Sequence, residues 1–153
     1  MLSSLHIENI ALIRKADLEL PAGFTALTGE TGAGKTLMMT SVGLLVGERA
    51  ERDIVRHGAE RATVSGLFTD LSRETTEVLE RLGITTEEDG ALLITRTVTP
   101  DGKSTVRLNG RAATLGMLRE IGVSLLAIHG QSDTTFCFLT AMPKTKICKE
   151  STV

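Results

Sequence analysis

One glycine-rich segment of the sequence has the composition of a phosphate-binding loop. Gly29-Glu30-Thr31-Gly32-Ala33-Gly34-Lys35-Thr36 fits the Walker A pattern G-x-x-x-x-G-K-[ST] in full. Glycines allow the backbone angles that turn successive N–H groups toward phosphates. The spacing predicts that Lys35 reaches the β and γ phosphates and that the Thr36 hydroxyl binds Mg²⁺. We therefore expect this loop to hold a nucleotide, ATP in preference to others, together with magnesium.

The residues around the loop predict the strand and the helix that would position it. An apolar segment at 24–28 reads as a short strand that runs into the loop, and two further strands at 2–10 and 16–20 precede it. Residues 35–46 contain no proline and are rich in Leu, Met and Val, which favours a largely buried helix ending near Gly47. This order, strand then loop then helix, is the one that phosphate binding requires.

The rest of the chain predicts strands at 62–68, 92–98 and 104–108 and helices at 75–82 and 115–120. Pro100-Asp101-Gly102-Lys103 and Asn109-Gly110 have the composition of tight turns, and Thr114 is a candidate helix cap. The apolar run 123–128 is predicted to be a fully buried strand that leads into His129-Gly130-Gln131. A polar loop directly after a buried strand is a candidate position for functional side chains.

Composition limits the class of protein. The chain has 153 residues, a net charge of −2 and 3% aromatic residues. This length suits one domain, the charge gives no basic footprint of a nucleic-acid-binding domain, and aromatic stacking platforms are scarce. No apolar run has the length of a membrane span, so we expect a cytoplasmic protein without a membrane partner. Cys137 and Cys148 are expected to be free thiols.

Several motifs together resemble one family. Residues 4–13 and the extended loop 28–36 are similar to the N-terminal head of RecN, a family of bacterial SMC-like DNA repair ATPases. The resemblance covers about residues 1–133, and four shorter matches occur in the family's order: Gly47-Glu48-Arg49-Ala50, Ile54-Val55-Arg56-His57-Gly58-Ala59, Gly102-Lys103-Ser104 with Asn109-Gly110, and Ile128-His129-Gly130-Gln131. It implies an α/β P-loop NTPase fold, the N-terminal lobe of an ABC/SMC-type head, with a mixed sheet around the strand-loop-helix core and an antiparallel strand subdomain.

The resemblance also implies roles for residues outside the loop. Gln131 corresponds to the family's glutamine that touches Mg²⁺ and the attacking water and senses the γ-phosphate. Arg56 matches an arginine linked in SMC-like heads to coupling between DNA and ATP turnover, with a solvated surface arginine as the equal alternative. Arg14 and Lys15 lie where related heads contact nucleotide phosphates, although a surface role is as probable for them. His6, His57 and His129 show no metal-ligand spacing.

In this family the head is assembled from both ends of a long chain, and two heads form a dimer. The C-terminal half supplies the capping signature, the catalytic glutamate and the switch histidine, so we expect this chain alone not to be catalytically competent. The implied partners are that C-terminal half, a second head and DNA, and the implied location is the nucleoid. The residues from 134 to 153 do not resemble the coiled-coil entry expected there, show no helical or strand period, and are expected to pack poorly.

Three other readings remain open from the residues alone. A membrane-transporter ATP-binding subunit shares the core but commonly stacks adenine on an upstream aromatic, for which this chain offers only Phe24. A GTPase or small-molecule kinase is disfavoured because the guanine-reading Asn-Lys-x-Asp motif does not occur. The third is a non-catalytic remnant that binds nucleotide weakly or not at all.

Overall fold

The computed structural model describes residues 1–21, 26–27, 32–86, 89–129 and 136–140. The elements of these ranges form two sheets and three helices. The strands are β1 (Leu2–Ile10), β2 (Ile13–Glu19), β3 (Ala26–Leu27), β4 (Ala62–Phe68), β5 (Leu92–Val98), β6 (Ser104–Leu108), β7 (Arg111–Ala113), β8 (Leu126–His129) and β9 (Phe136–Thr140). The helices are α1 (Gly32–Leu45), α2 (Arg73–Arg81) and α3 (Leu115–Leu125), with a 3-10 turn at Arg52–Ile54.

The larger sheet has the strand order β2-β1-β4-β5-β6-β7, and every neighbouring pair is antiparallel. The alternation of apolar and polar residues along β1, β4 and β5 buries one face of this sheet, as period-two patterning predicts. Helix α1 packs against that face, with Val42, Leu44 and Leu45 almost completely buried. This is the antiparallel subdomain expected from the sequence, and α1 joins it to the candidate loop.

The smaller sheet has the order β3-β9-β8. Strand β9 lies between β3 and β8 and pairs antiparallel with both, so the two outer strands run in the same direction although every neighbouring pair is antiparallel. The residues from 134 to 153 are predicted to pack poorly, and the part of them that the structure describes, Phe136–Thr140, has the backbone of strand β9. Cys137 lies on this strand, while Cys148 falls outside the described residues.

The prediction of one buried strand over residues 123–128 is wrong. Helix α3 continues to Leu125, and β8 contains only Leu126–His129. A short apolar run does not distinguish a strand from a buried helix by periodicity. Here Leu118, Ile121 and Leu125 share the buried face of the helix, whereas Val123 is 83% exposed.

Helix α3 packs closely on the C-terminal end of α1. A methyl group on Gly122 would lie 2.4 Å from the Val46 carbonyl oxygen, so this contact requires glycine. The N-terminus of α3 is capped as predicted, because the Thr114 hydroxyl accepts a hydrogen bond from the Met117 amide at 3.2 Å. The position of α3 therefore depends on tertiary contact with α1 as well as on its own cap.

Asn109 holds the turn between β6 and β7 in the left-handed region, with φ 47°. Its side-chain oxygen accepts from the Leu93 amide at 2.7 Å, and its amide nitrogen donates to the Thr85 carbonyl at 2.8 Å. We expect Asn109→Gly to lower the free energy of unfolding by about 2 kcal/mol, because glycine tolerates the backbone angle but makes neither bond.

Asn9 provides the matched control for this substitution. It has the same left-handed backbone, with φ 55°, and no side-chain hydrogen bond is recorded for it in the described part of the chain. Asn9→Gly is therefore expected to change the stability by less than about 0.5 kcal/mol. Urea unfolding of both variants compares them, and equal losses would show that the Asn109 side-chain bonds contribute nothing specific.

Candidate functional site

The N-terminus of α1 lies where the glycine-rich motif predicts a phosphate-binding helix. Strand β3 ends at Leu27, four residues are interposed, and α1 begins at Gly32. The first amides of a helix have no partner one turn earlier, and together they form its positive end. The first turn contains no acidic residue that would oppose a bound anion. Gly29, Glu30 and Thr31 of the motif lie outside the described residues.

Lys35 and Thr36 follow one another in the first turns of α1 but differ in exposure. Lys35 is 9% exposed, which is unusual for a lysine. Thr36 is exposed, and its carbonyl accepts a hydrogen bond from the Thr40 hydroxyl at 2.9 Å. A methyl group on Gly34 would meet nothing within 4 Å, so the chain's own packing does not require glycine there.

The smaller sheet brings the end of β8, which precedes Gln131, to the same end of the sheet as the end of β3, which precedes the loop. Ala26 of β3 and His129 of β8 both pair with Cys137 of β9, so their backbones are about 10 Å apart, two strand spacings. Because β3 and β8 run in the same direction, both strands finish at the same end of the sheet. Gln131 follows β8 by two residues and lies outside the described residues, and β9 alone separates β8 from β3, the strand that leads into the loop.

Arg14 and Arg56, which the sequence analysis singled out separately, line one cleft of about 350 Å³. The Arg56 guanidinium donates from Nη1 to the Leu12 carbonyl at 3.0 Å, and its amide donates to the Asn9 carbonyl at 2.9 Å. These bonds attach the segment after α1 to the turn between β1 and β2. Arg61 lines the same cleft and was not predicted from the sequence.

The cleft is polar and has both signs of charge. Glu8 and Glu60 also line it, beside the three arginines and His57. Among the described lining residues none belongs to the glycine-rich loop. The structure thus brings Arg14 and Arg56 together at one cleft, and Lys35 is not among the described residues that line it.

Lys15 and His6 face a surface carboxylate. Lys15 Nζ is 3.5 Å from Asp17 Oδ2, and His6 Nδ1 pairs with Asp17 Oδ1. The hydrogen bond with His6 lowers the pKa of the Asp17 carboxyl below its ordinary value. The described ranges contain no group of three or more His, Cys, Asp or Glu side chains arranged for a metal ion. The contact of Lys15 with Asp17 favours the surface role for Lys15 over a contact with nucleotide phosphates.

Arg96 is a buried charge that the sequence analysis missed. It is 1% exposed and occupies an inward position of β5, between Ile94 and Val98. The signal was present in the sequence, since a charged residue interrupts the apolar alternation of residues 92–98. Burial, followed by the nearby charge of Arg119, lowers the pKa of its guanidinium.

Comparison with known proteins gives a matching family model and several related sequences. Residues 4–133 match the family model described as an AAA domain. DNA repair protein RecN of Streptomyces coelicolor is 45% identical over 129 residues, which are 84% of this chain and 23% of the relative. RecN of Bacillus subtilis is 40% identical over 134 residues, 87% of this chain and 23% of the relative. The chain thus spans about a quarter of the length of these curated relatives.

Solved structures give the same fold. The Smc head domain with an extended coiled coil from Pyrococcus furiosus, bound to the C-terminal domain of ScpA, superposes with a TM-score of 0.64 and 25% identity, covering 80% of this chain and 32% of that chain. The recombination mediator RecF with ATP gives a TM-score of 0.58 at 18% identity, covering 77% of this chain and 30% of that chain. The predicted RecN resemblance and the SMC-type head fold are confirmed. In the described part of the chain no helix is long and apolar enough to cross a membrane.

Proposed function

This chain belongs to the AAA domain family, and we propose that it is the Mg·ATP-binding half of the ATPase head of a RecN-like DNA repair protein. The observation that carries the proposal is the position of α1. This helix begins four residues after β3, at the end of the smaller sheet where β8 also finishes. The RecN relatives favour DNA repair over a transporter subunit.

The residues present at the start of α1 fit a nucleotide triphosphate. Phosphates require hydrogen-bond donors and positive charge, which the backbone amides of the first turn and the ammonium of Lys35 supply. Mg²⁺ requires oxygen ligands, and the hydroxyl of Thr36 is one. The open space at Gly34 admits close approach of a ligand to the backbone. The bound nucleotide supplies the phosphoanhydride bond, and Mg²⁺ neutralises charge on its phosphates.

Each candidate residue has a distinct proposed role at this site. Gly29, Glu30, Thr31, Gly32, Ala33 and Gly34 contribute the backbone cradle. Lys35 binds the β and γ phosphates, and Thr36 ligates the metal. Gln131 reaches the metal and orients the attacking water, which the common edge of β3 and β8 supports.

The cleft between β1, β2 and the segment after α1 has a proposed auxiliary role. Arg14 contacts nucleotide phosphates, and Arg56 couples DNA contact to nucleotide turnover. What supports this is that the two arginines line one cleft and that Arg56 is bonded to the turn before β2. Movement of either segment would therefore be transmitted to the other.

Hydrolysis needs more than these groups supply. In-line attack requires a positioned water and an acceptor for its proton, and Gln131 provides only the positioning. We assign the proton acceptor and the capping of the nucleotide to the C-terminal half of the head and to a second head. The same assembly would bind DNA and would place the protein in the cytoplasm at the nucleoid.

The expected result is that this chain alone releases phosphate from ATP no faster than its Lys35→Ala variant. Adding a separately expressed C-terminal half of a RecN-like head should then produce turnover that depends on Lys35. The measurement is steady-state phosphate release by purified protein. Lys35-dependent turnover by the isolated chain would contradict the division of the site between two halves. No turnover after a complex has demonstrably formed would contradict the proposed function.

A further inference from the structure

A second, larger cleft lies at the opposite end of α1 from the candidate nucleotide site. It has a volume of about 640 Å³ and is bordered by the segment after α1, the β5–β6 hairpin and α3. Its charged lining residues are Arg49, Glu51, Arg96, Asp101 and Arg119. Helix α1 has 14 residues, so the two sites are separated by about 20 Å along its axis.

Arg96 forms the floor of this cleft and is held rigidly. Its Nη1 donates to the Leu44 carbonyl at 3.0 Å and to the Glu48 carbonyl at 2.5 Å, and its Nε donates to the Ser104 hydroxyl at 2.9 Å. No acceptor for Nη2 is recorded among the described residues. Arg96 is a lining residue of the cleft, and we take Nη2, its one terminal nitrogen without a recorded acceptor among those residues, as the atom that faces the cleft. One nitrogen of an otherwise buried guanidinium is thus presented to a ligand.

Arg119 and Arg49 add two further guanidinium groups at the same cleft. Arg119 is anchored by a bond from Nε to the Gly47 carbonyl at 3.0 Å, which leaves its two terminal nitrogens for other acceptors. The charge of Arg119 is close enough to disfavour the charged form of Arg96. None of the ion pairs recorded among the described residues includes Arg49, Arg96 or Arg119. Like charges brought together in this way are stabilised by a bound anion.

The carboxylates at the cleft do not offset these arginines fully. Lys103 Nζ lies 2.7 Å from Asp101 Oδ2, and the hydrogen bonds from Lys103 and Thr99 lower the pKa of Asp101 to about 2. Asp101 is therefore ionised at neutral pH, and its charge is balanced by Lys103. Glu51 alone then stands against the three arginines, so the lining keeps a positive excess.

We propose that this cleft binds a phosphate group, separately from the nucleotide site at the other end of α1. Guanidinium groups match phosphate oxygens in geometry and charge, and this cleft offers one rigidly held nitrogen of Arg96 beside the more accessible guanidinium groups of Arg49 and Arg119. The phosphate belongs either to the backbone of a nucleic acid or to a small phosphorylated molecule. Both sources offer the same chemistry to Arg49, Arg96 and Arg119.

The test is a titration of the full 153-residue chain, followed by amide NMR, with inorganic pyrophosphate and with a short DNA duplex in separate arms. Site-resolved shifts separate the two phosphate sites, because cleft amides such as Glu51, Gly102 and Arg119 are distant from those of residues 32–36. We expect pyrophosphate to shift the cleft amides. Arg49→Gln and Arg119→Gln should each weaken this binding about tenfold, whereas Arg111→Gln, at an exposed arginine of β7, should leave it unchanged.

Each outcome decides between the alternatives. Shifts at the cleft amides with both probes support the proposal and identify a nucleic-acid backbone as a source. Shifts with pyrophosphate alone support it and identify a small phosphorylated ligand. The proposal is overturned if neither probe shifts the cleft amides, or if Arg111→Gln weakens binding as much as Arg119→Gln. Arg49→Gln keeps the test decisive if Arg119→Gln loosens α3, since no bond from Arg49 to the α1 carbonyls is recorded in the described part of the chain.

Discussion

Replacing Lys35 by alanine should weaken Mg·ATP binding about 150-fold, equivalent to about 3 kcal/mol. The substitution removes the ammonium that we assign to the β and γ phosphates while leaving the helix and its backbone amides in place. Isothermal titration calorimetry of the folded chain measures the effect. The matched control is Lys103→Ala, since Lys103 is exposed on the β5–β6 hairpin and pairs with Asp101.

Gly34→Ala provides an independent check of the same site. Because the added methyl group meets nothing within 4 Å in the protein, thermal stability should be preserved. Nucleotide affinity should nevertheless fall, since the methyl group would occupy the space through which phosphates approach the backbone. Binding that is unaffected by both Lys35→Ala and Gly34→Ala would show that nucleotide is held elsewhere.

Replacing Arg96 by methionine should lower the free energy of unfolding by about 3 kcal/mol. Methionine fills similar space but leaves the carbonyls of Leu44 and Glu48 without the donor that now joins them to β5. The Leu44 carbonyl lies in the last turn of α1, where a positive charge also stabilises the helix dipole, and Glu48 follows three residues after the helix ends. The midpoint of thermal unfolding should fall by roughly 10 °C for a chain of this size.

Two further variants test the specificity of this effect. Arg107→Met changes an exposed arginine on the neighbouring strand β6 and should cost less than about 0.5 kcal/mol. Arg96→Lys should fall between the two, since an ammonium retains the charge but does not reproduce the planar fork. Equal losses for Arg96→Met and Arg107→Met would mean that the bonds to the end of α1 contribute little to stability.

Local sequence determined much of the fold correctly. Strands β4, β5 and β6 have the bounds that alternation of apolar and polar residues predicts, and the Thr114 cap was recognised. The glycine-rich motif correctly predicts a helix beginning within it and a strand before it. These features depend on neighbours within a few residues, so their signals can be read from the chain directly.

The sequence misled where tertiary contact decides between two local structures. Residues 123–125 are as apolar as a buried strand, yet they extend α3 because Leu118, Ile121 and Leu125 share its buried face. Strand β9 likewise has no recognisable period, and its backbone pairs with β3 and β8, which come from distant parts of the chain. Such pairings are set by partners that no local window contains.

The sequence by itself predicts the chemistry of the candidate nucleotide site, because phosphate binding is predicted from the residue types and spacing of 29–36 alone. Only the tertiary structure decided which distant residues meet. It placed Arg14 and Arg56 at one cleft, and it brought the end of β8 to the end of the sheet where β3 also finishes. It also brought three arginines to the cleft at the C-terminal end of α1: Arg49, Arg96 and Arg119. Charges that are scattered along the sequence acquire an effect on one another only when folding brings them within a few ångströms and excludes water between them.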